Sequence, residues 1–302
     1  MSSSKAARIW RRTWFGALLA SATVGIVTWA HGPHGVAIAL GCGSLLALMS
    51  LFELERMGRV DGTRLSMRGA SLTLFALLLA VVQVLRPEVL AGVLPGELLG
   101  APAGTPMRVL ELLGVCLVAG LVTAPLALLV SGKPRSIVLG ALWVAFPMAA
   151  LSLVREGHGG EGLMALLLLS KIGDIAGYYV GNAIGRTHPF PRLSPGKTTE
   201  GCLGSLLAGV ALGHLCQSLG WLGEPTLGPM SGLLFGGAIN LASQAGDLLE
   251  SCAKRAAGVK DSSGAFGPSG GTLDVVDSLL LSVPVGLAVW PLLFQAGSSP
   301  GV

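Results

Sequence analysis

Charge is scarce in this sequence. Asp, Glu, Lys and Arg make up 12% of its 302 residues, against about 25% in ordinary soluble domains. Hydrophobic residues reach 52%, and mean hydropathy is +0.71. Such a length would ordinarily suggest two soluble domains, but so few charges could not cover their surface. Collagen, a disulfide scaffold and a disordered chain are excluded on the same grounds. Cysteines number five, with no pair at metal-ligand spacing, which leaves packing between helices as their role. His31, His34, His158, His188 and His214 are scattered and show no metal spacing either. The start, MSSSKAARIWRR, looks like a signal-peptide n-region. No clear cleavage site follows, so the next apolar run reads as a retained first helix. A convincing internal repeat is also missing, which weakens a transporter built on inverted repeats.

What is present is a series of long apolar runs. A spanning helix needs about 20 largely apolar residues. Runs at 13–52 (split in two at His31-Gly-Pro-His34), 69–85, 112–132, 136–154, 162–185, 201–223, 225–246 and 278–302 predict nine helices. The expected fold class is all-α, a polytopic membrane helix bundle. Residues 89–107, interrupted by Pro95, Glu97, Pro102 and Pro106, read as an interfacial or re-entrant segment. Basic residues orient the chain. With a cytoplasmic N-terminus, sixteen of the 20 Lys and Arg residues fall on the cytoplasmic side, and only Arg86, Arg108 and Arg155 on the other. That asymmetry explains the high isoelectric point, about 8.9, without any nucleic acid. The six tryptophans mostly sit near span ends, the usual interfacial belt.

The halves differ in character. Residues 1–155 read as a membrane scaffold of ordinary spans. Residues 156–302 read as a catalytic region, with cytoplasmic loops at 185–201 and 251–273 and polar groups inside the helices. Lys171 and Asp174 lie within a span, where each charge costs about 2.5–3.5 kcal/mol. Three residues apart, they share a face and could simply pair. Tyr178 and Asn182 extend that face. Residues 192–201, Arg-Leu-Ser-Pro-Gly-Lys-Thr-Thr-Glu-Gly, superficially resemble a phosphate loop. The first glycine and the preceding strand of a P-loop are absent. Two readings stay open: an anion site made of helix-start N–H groups, Lys197 and hydroxyls, or a helix cap by Thr198 on Gly201 or by Ser194. Asp247 and Glu250, with Lys254 a turn on, would suit a solvated helix end. Asp274 and Asp277 sit on the first turn of the last helix. Four carboxylates, Asp174, Asp247, Asp274 and Asp277, thus converge at the cytoplasmic ends of three helices, in a chain with only 16 acidic residues. Such a group suits Mg²⁺ held together with substrate phosphates.

These segments carry a family resemblance. Ser251-x-x-Lys254-Arg255-x-x-x-x-Lys260-Asp261, followed by Gly270-Gly271-x-x-Asp274-x-x-Asp277, resembles the signature of the phosphatidate cytidylyltransferases. So do Gly246-Asp247-x-x-Glu250-Ser251, Ser194-Pro-x-Lys197-Thr198-x-Glu200-Gly201 and Asp174-x-x-x-Tyr178-x-x-Gly181. The resemblance covers about 170–282 closely. Ser269 stands where the family usually has His, Val275 where it has Arg, Thr199 where an aromatic is usual and Gly196 where a second Lys is common. The resemblance implies transfer of the cytidylyl group of CTP to phosphatidate, giving CDP-diacylglycerol and pyrophosphate. It implies Asp247 and Asp274 as leading metal ligands, with Asp174 and Asp277 close by. Lys197, Thr198 and Lys260 would hold the triphosphate, with Ser194, Glu200 and Asp261 in the same binding segments, while Arg255 or Lys254 would face the lipid phosphate. Mg²⁺ is the implied cofactor, a monovalent cation beside it an open option. CTP, phosphatidate and membrane lipid are the implied partners, with a homodimer also left open. The setting would be the cell membrane, multi-pass, with the active site facing the cytoplasm. A CTP-dependent lipid kinase and an ion-coupled transporter are the alternatives. The first would need a general base for a hydroxyl acceptor, and the second would have no use for two Gly/Lys-rich cytoplasmic loops.

Overall fold

A computed structural model describes residues 25, 35–60, 143–144, 146–266 and 270–295. Among the described residues there are six helices: α1 Gly35–Val60, α2 Phe146–Ile184, α3 Thr199–Ser218, α4 Met230–Ala256, α5 Thr272–Val276 and α6 Leu279–Leu293. Among the described residues the only strands are β1 Glu224–Pro225 and β2 Phe294–Gln295, a two-residue antiparallel pair with Glu224 opposite Gln295. The helical class expected from the apolar runs is therefore what forms. Among the described residues three stretches are long and apolar enough to cross a membrane: Phe146–Ile184, Thr199–Ser218 and Thr272–Leu293. The expected spans at 69–85 and 112–132 and the segment 89–107 lie outside the described residues, as does the first half of the 13–52 run apart from residue 25.

Element boundaries follow local chemistry. The runs at 136–154 and 162–185 meet in α2, which breaks at Gly159, where φ is +73° and ψ −173°. A side chain would be strained at that φ, and glycine supplies the break. The 225–246 run continues as α4 to Ala256, so the charged stretch from Asp247 to Arg255 is helical.

Helix α2 packs against α1, α3, α4 and α6, α4 lies against α3 and α6, and α5 sits on α1. Small residues let α3 and α4 approach closely: a side chain at Gly213 or Gly236 would run into the backbone of the opposing helix. Helices α2, α4 and α6 share a layered core. At one end Trp290 is fully buried, stacked on His158 with ring centroids 3.9 Å apart and edge-on to Phe235. Its indole N–H donates to Leu222 O at 2.9 Å. Halfway along, the Ser170 and Ser282 hydroxyls meet at 2.7 Å, and Ser243 Oγ donates to Ser170 O at 2.8 Å. Lys171, Asp174, Asp247, Glu250 and Asp277 gather at the opposite end.

Candidate active site

Four pieces of chain meet at the charged end. Helix α2 brings Lys171 and Asp174, α4 brings Asp247, Glu250 and Lys254, the α5–α6 junction brings Asp277, and the turn before α3 brings Lys197. Lys171 Nζ lies 3.7 Å from Asp174 Oδ2 and 3.5 Å from Asp277 Oδ1. Lys197 Nζ lies 2.7 Å from Asp247 Oδ2 and donates to Gln244 O at 3.4 Å. One carboxylate oxygen each from Asp247, Glu250 and Asp277 falls within 4.8 Å of the others. Gly246 makes this meeting feasible, because a Cβ there would press on the backbone oxygen of Asp277.

Glu250 is the unusual member. It is 0% exposed, has Lys254 as its ion-pair partner, and receives no well-aligned hydrogen bond among the described residues. Burial pushes its carboxyl up to about 8, with Lys254 pulling the other way. Lys254 bridges Glu250 and Asp274, donating to Asp274 Oδ1 at 2.6 Å. Burial works to lower the Lys254 ammonium, but its two carboxylate partners outweigh that and hold it above its usual value.

Asp274 stands apart from the three-carboxylate group. Its Oδ2 accepts from Ser262 N at 2.9 Å and Gly271 N at 2.8 Å, and Ser262 Oγ lies 2.5 Å away. The described residues thus bring Asp277 to Asp247, while Asp274 reaches the group through Lys254. Thr198 caps α3: its hydroxyl accepts from Gly201 N at 3.1 Å, and the residue is buried between α2 and α3. Glu200 accepts from Arg186 N and Thr187 N, closing the turn after α2. Ser194 O accepts from Lys197 N at 3.1 Å, a turn that presents Lys197. Arg255 is exposed and ties the two loops together, donating to Leu193 O at 3.2 Å and Val259 O at 3.1 Å. Lys260 and Asp261 are exposed, and Asp261 lines a cavity of about 340 Å³ with Arg56, Ser262 and Ser263.

The model of the cytidylyltransferase family matches residues 10–293. The chain belongs to the cytidylyltransferase family. It is 38% identical over 148 residues to a phosphatidate cytidylyltransferase of Brucella suis, covering 47% of this chain and 52% of that one. A phosphatidate cytidylyltransferase of Aquifex aeolicus is 39% identical over 114 residues, 38% of this chain and 41% of its own length. One from Pseudomonas aeruginosa is 37% identical over 167 residues, 55% and 60% of the two chains. The chain spans about half the length of the curated relatives it matches.

Within this cytidylyltransferase-family chain, three site groups carry more than the sequence suggested. Lys171 reaches Asp277 as well as its helix neighbour Asp174. Glu250, read as part of a solvated helix end, is fully buried; its place inside the Gly246–Ser251 motif was the available signal. Glu53, in the N-terminal half, is buried against Ser262, Ser263 and the start of α5. Nothing in its surroundings distinguished it from the other charges at the end of that apolar run.

Proposed function

We propose that this protein is a membrane nucleotidyltransferase, a phosphatidate cytidylyltransferase. It transfers the cytidylyl group of CTP to phosphatidate, releasing pyrophosphate, and so supplies CDP-diacylglycerol to phospholipid biosynthesis. One observation carries the reading: three carboxylate oxygens within 4.8 Å, flanked by lysines, at the end of a bundle apolar enough to span a membrane.

A divalent cation fits this arrangement. Even with Glu250 protonated, four carboxylates (Asp174, Asp247, Asp274, Asp277) face three lysines (Lys171, Lys197, Lys254), an excess of negative charge. Glu250 is fully buried with Lys254 against its Oε2, and its Oε1 has no hydrogen bond among the described residues. Asp247, Glu250 and Asp277 would hold Mg²⁺, with Asp174 beside them and Asp274 one lysine away. The ion would offset the charge of two polyanions brought together.

In the reaction an oxygen of the lipid phosphate attacks the α-phosphorus of CTP as the bond to the β-phosphate breaks. The nucleophile is already anionic, so the protein needs no general base. Positioning and charge neutralisation are the whole task. Lys197 and Lys260 bind the triphosphate, and the Thr198 cap and the Ser194 turn present Lys197. Glu200 holds the neighbouring turn, Asp261 borders the nucleotide side, and Arg255 faces the lipid phosphate. Lys254 holds Glu250 and Asp274 in place.

The finer topology belongs to the same reading: nine spans in the cell membrane, N-terminus and active site cytoplasmic. The one-sided placement of Lys and Arg supports it. A homodimer and an accompanying monovalent cation are compatible with it.

The test uses purified protein, Mg²⁺, phosphatidate and CTP labelled at either the α- or the γ-phosphate. Cytidylyl transfer puts α-label, and no γ-label, into the lipid extract. Lipid-extractable γ-label would instead show a CTP-dependent kinase.

A further inference from the structure

Glu53 lies near the end of α1, between 209 and 220 residues before the groups it touches. Four donors converge on its buried carboxylate. Oε1 faces Ser263 Oγ at 2.7 Å and Thr272 N at 2.8 Å. Oε2 faces Ser262 Oγ at 2.7 Å and Leu273 N at 2.8 Å. One side chain thereby joins α1 to the loop that carries Lys260 and Asp261 and to the first turn of α5. Ser262 extends the link, because its N–H and hydroxyl also face Asp274 Oδ2. The hydroxyl has a single proton and serves one carboxylate at a time, so the two acids are coupled through it.

The Gly270-Gly271 pair fits the same arrangement. Gly270 adopts φ +81°, open to glycine at little cost. A side chain at Gly271 would collide with the Glu53 carboxylate and the Ser262 hydroxyl. The second glycine of that motif is therefore the space through which Glu53 reaches the loop.

We propose that Glu53 is a positioning residue for the nucleotide side of the site. It fixes the Lys260-Asp261-Ser262 loop against Asp274 and sets the start of the turn that leads to Asp277. This rests on the cytidylyltransferase reading above. On the lipid side Arg255 is anchored at the edge of this loop by Val259 O and, outside it, by Leu193 O, an anchor that does not depend on the loop. Loss of Glu53 should therefore reach CTP before it reaches phosphatidate.

The experiment uses the full chain in mixed micelles. Glu53→Gln keeps the shape but turns one acceptor into a donor aimed at a backbone N–H. Misplacing the loop should lower kcat/KM for CTP about 100-fold and leave the KM for phosphatidate within about twofold. Hydrogen exchange across 259–273 should accelerate while that of α3 stays unchanged. Glu53→Asp, which keeps both acceptor oxygens at shorter reach, should recover part of the loss. If Glu53→Gln does not fold, Ser263→Ala removes one donor of the four. It should lower kcat/KM for CTP by about threefold, with the phosphatidate KM again unmoved. An equal rise in both KM values, or wild-type CTP kinetics in a variant whose loop exchanges faster, would overturn the positioning role. Should the wild-type protein fail to label phosphatidate from CTP, the functional reading falls by itself. The exchange measurement then judges Glu53: unchanged exchange at 259–273 in Glu53→Gln rejects it as the holder of this loop, and faster exchange there supports it.

Discussion

The two ends of the α2–α4–α6 bundle are made by the same three helices and could hardly differ more. At one end α2 gives His158, α4 gives Phe235 and α6 gives Trp290, and the rings fill the space between them. The β1–β2 pair closes that end, and the indole N–H has its acceptor. Among the described side chains of this cluster only His158 Nε2 is buried without a partner. At the other end, α2 gives Lys171 and Asp174, α4 gives Asp247 and Glu250, and Asp277 precedes α6. Here like charges are pressed together and the lysines do not balance them. The aromatic end, His158 Nε2 apart, fills its own space and contributes stability. The charged end is held in place by the rest of the fold, and its chemistry calls for ligands to finish it.

Asp247→Asn should expose this division most sharply. Removing one acid from the three-carboxylate group should cut turnover about 1,000-fold while the thermal midpoint stays within a few degrees of wild type. A large fall in the midpoint would mean that the charged end also supports the fold. Trp290→Ala should do the reverse. Truncating a buried aromatic costs about 3–5 kcal/mol, read as a lower denaturant midpoint, with turnover per folded molecule retained. Asp274→Asn should fall between them: it loosens Lys254 and Ser262, costs about 1–3 kcal/mol of stability, and leaves the apparent Mg²⁺ affinity near wild type. A drop in Mg²⁺ affinity as large as that of Asp277→Asn would restore Asp274 as a ligand. The smallest effect concerns pH. Glu250 is pushed up to about 8 by burial, so below that pH it is mostly protonated and a cation must displace its proton. Apparent Mg²⁺ affinity should tighten as pH rises toward 8 and level off above it. Glu250→Gln should flatten that dependence, as isothermal titration at several pH values would show.

Much of this was legible in the sequence, for reasons that can be named. Apolar runs bounded by charges located α2, α3, α4 and α6, because burial in a membrane leaves a compositional trace that needs no neighbours to read. The ordered motifs located Lys197, Asp247, Lys254, Asp274 and Asp277. Spacing along one helix did not reveal which carboxylates meet between helices. That depends on Gly246, whose missing side chain lets α4 approach the backbone at Asp277. Asp274 and Asp277 are three residues apart, and only the fold shows one turned to Asp247 and the other to Lys254 and the loop. The two readings of the 192–201 segment also separate by residue: Thr198 is the cap, and Lys197 is the cation at Asp247. Glu53 was beyond reach, since its partners lie in the other half of the chain.

That separation in sequence bears on biosynthesis. Contacts between residues more than 200 apart are slow to form and come late in folding, and a chain emerges from its N-terminus first. Helix α1 is complete long before Ser262, Ser263, Thr272 and Leu273 exist. Through that interval the Glu53 carboxylate has none of its final donors and depends on water. A nascent chain that has made α1 through α4 thus holds most of the charged residues and still lacks a set site. Only when α5 emerges can the link between α1 and the loop before it close.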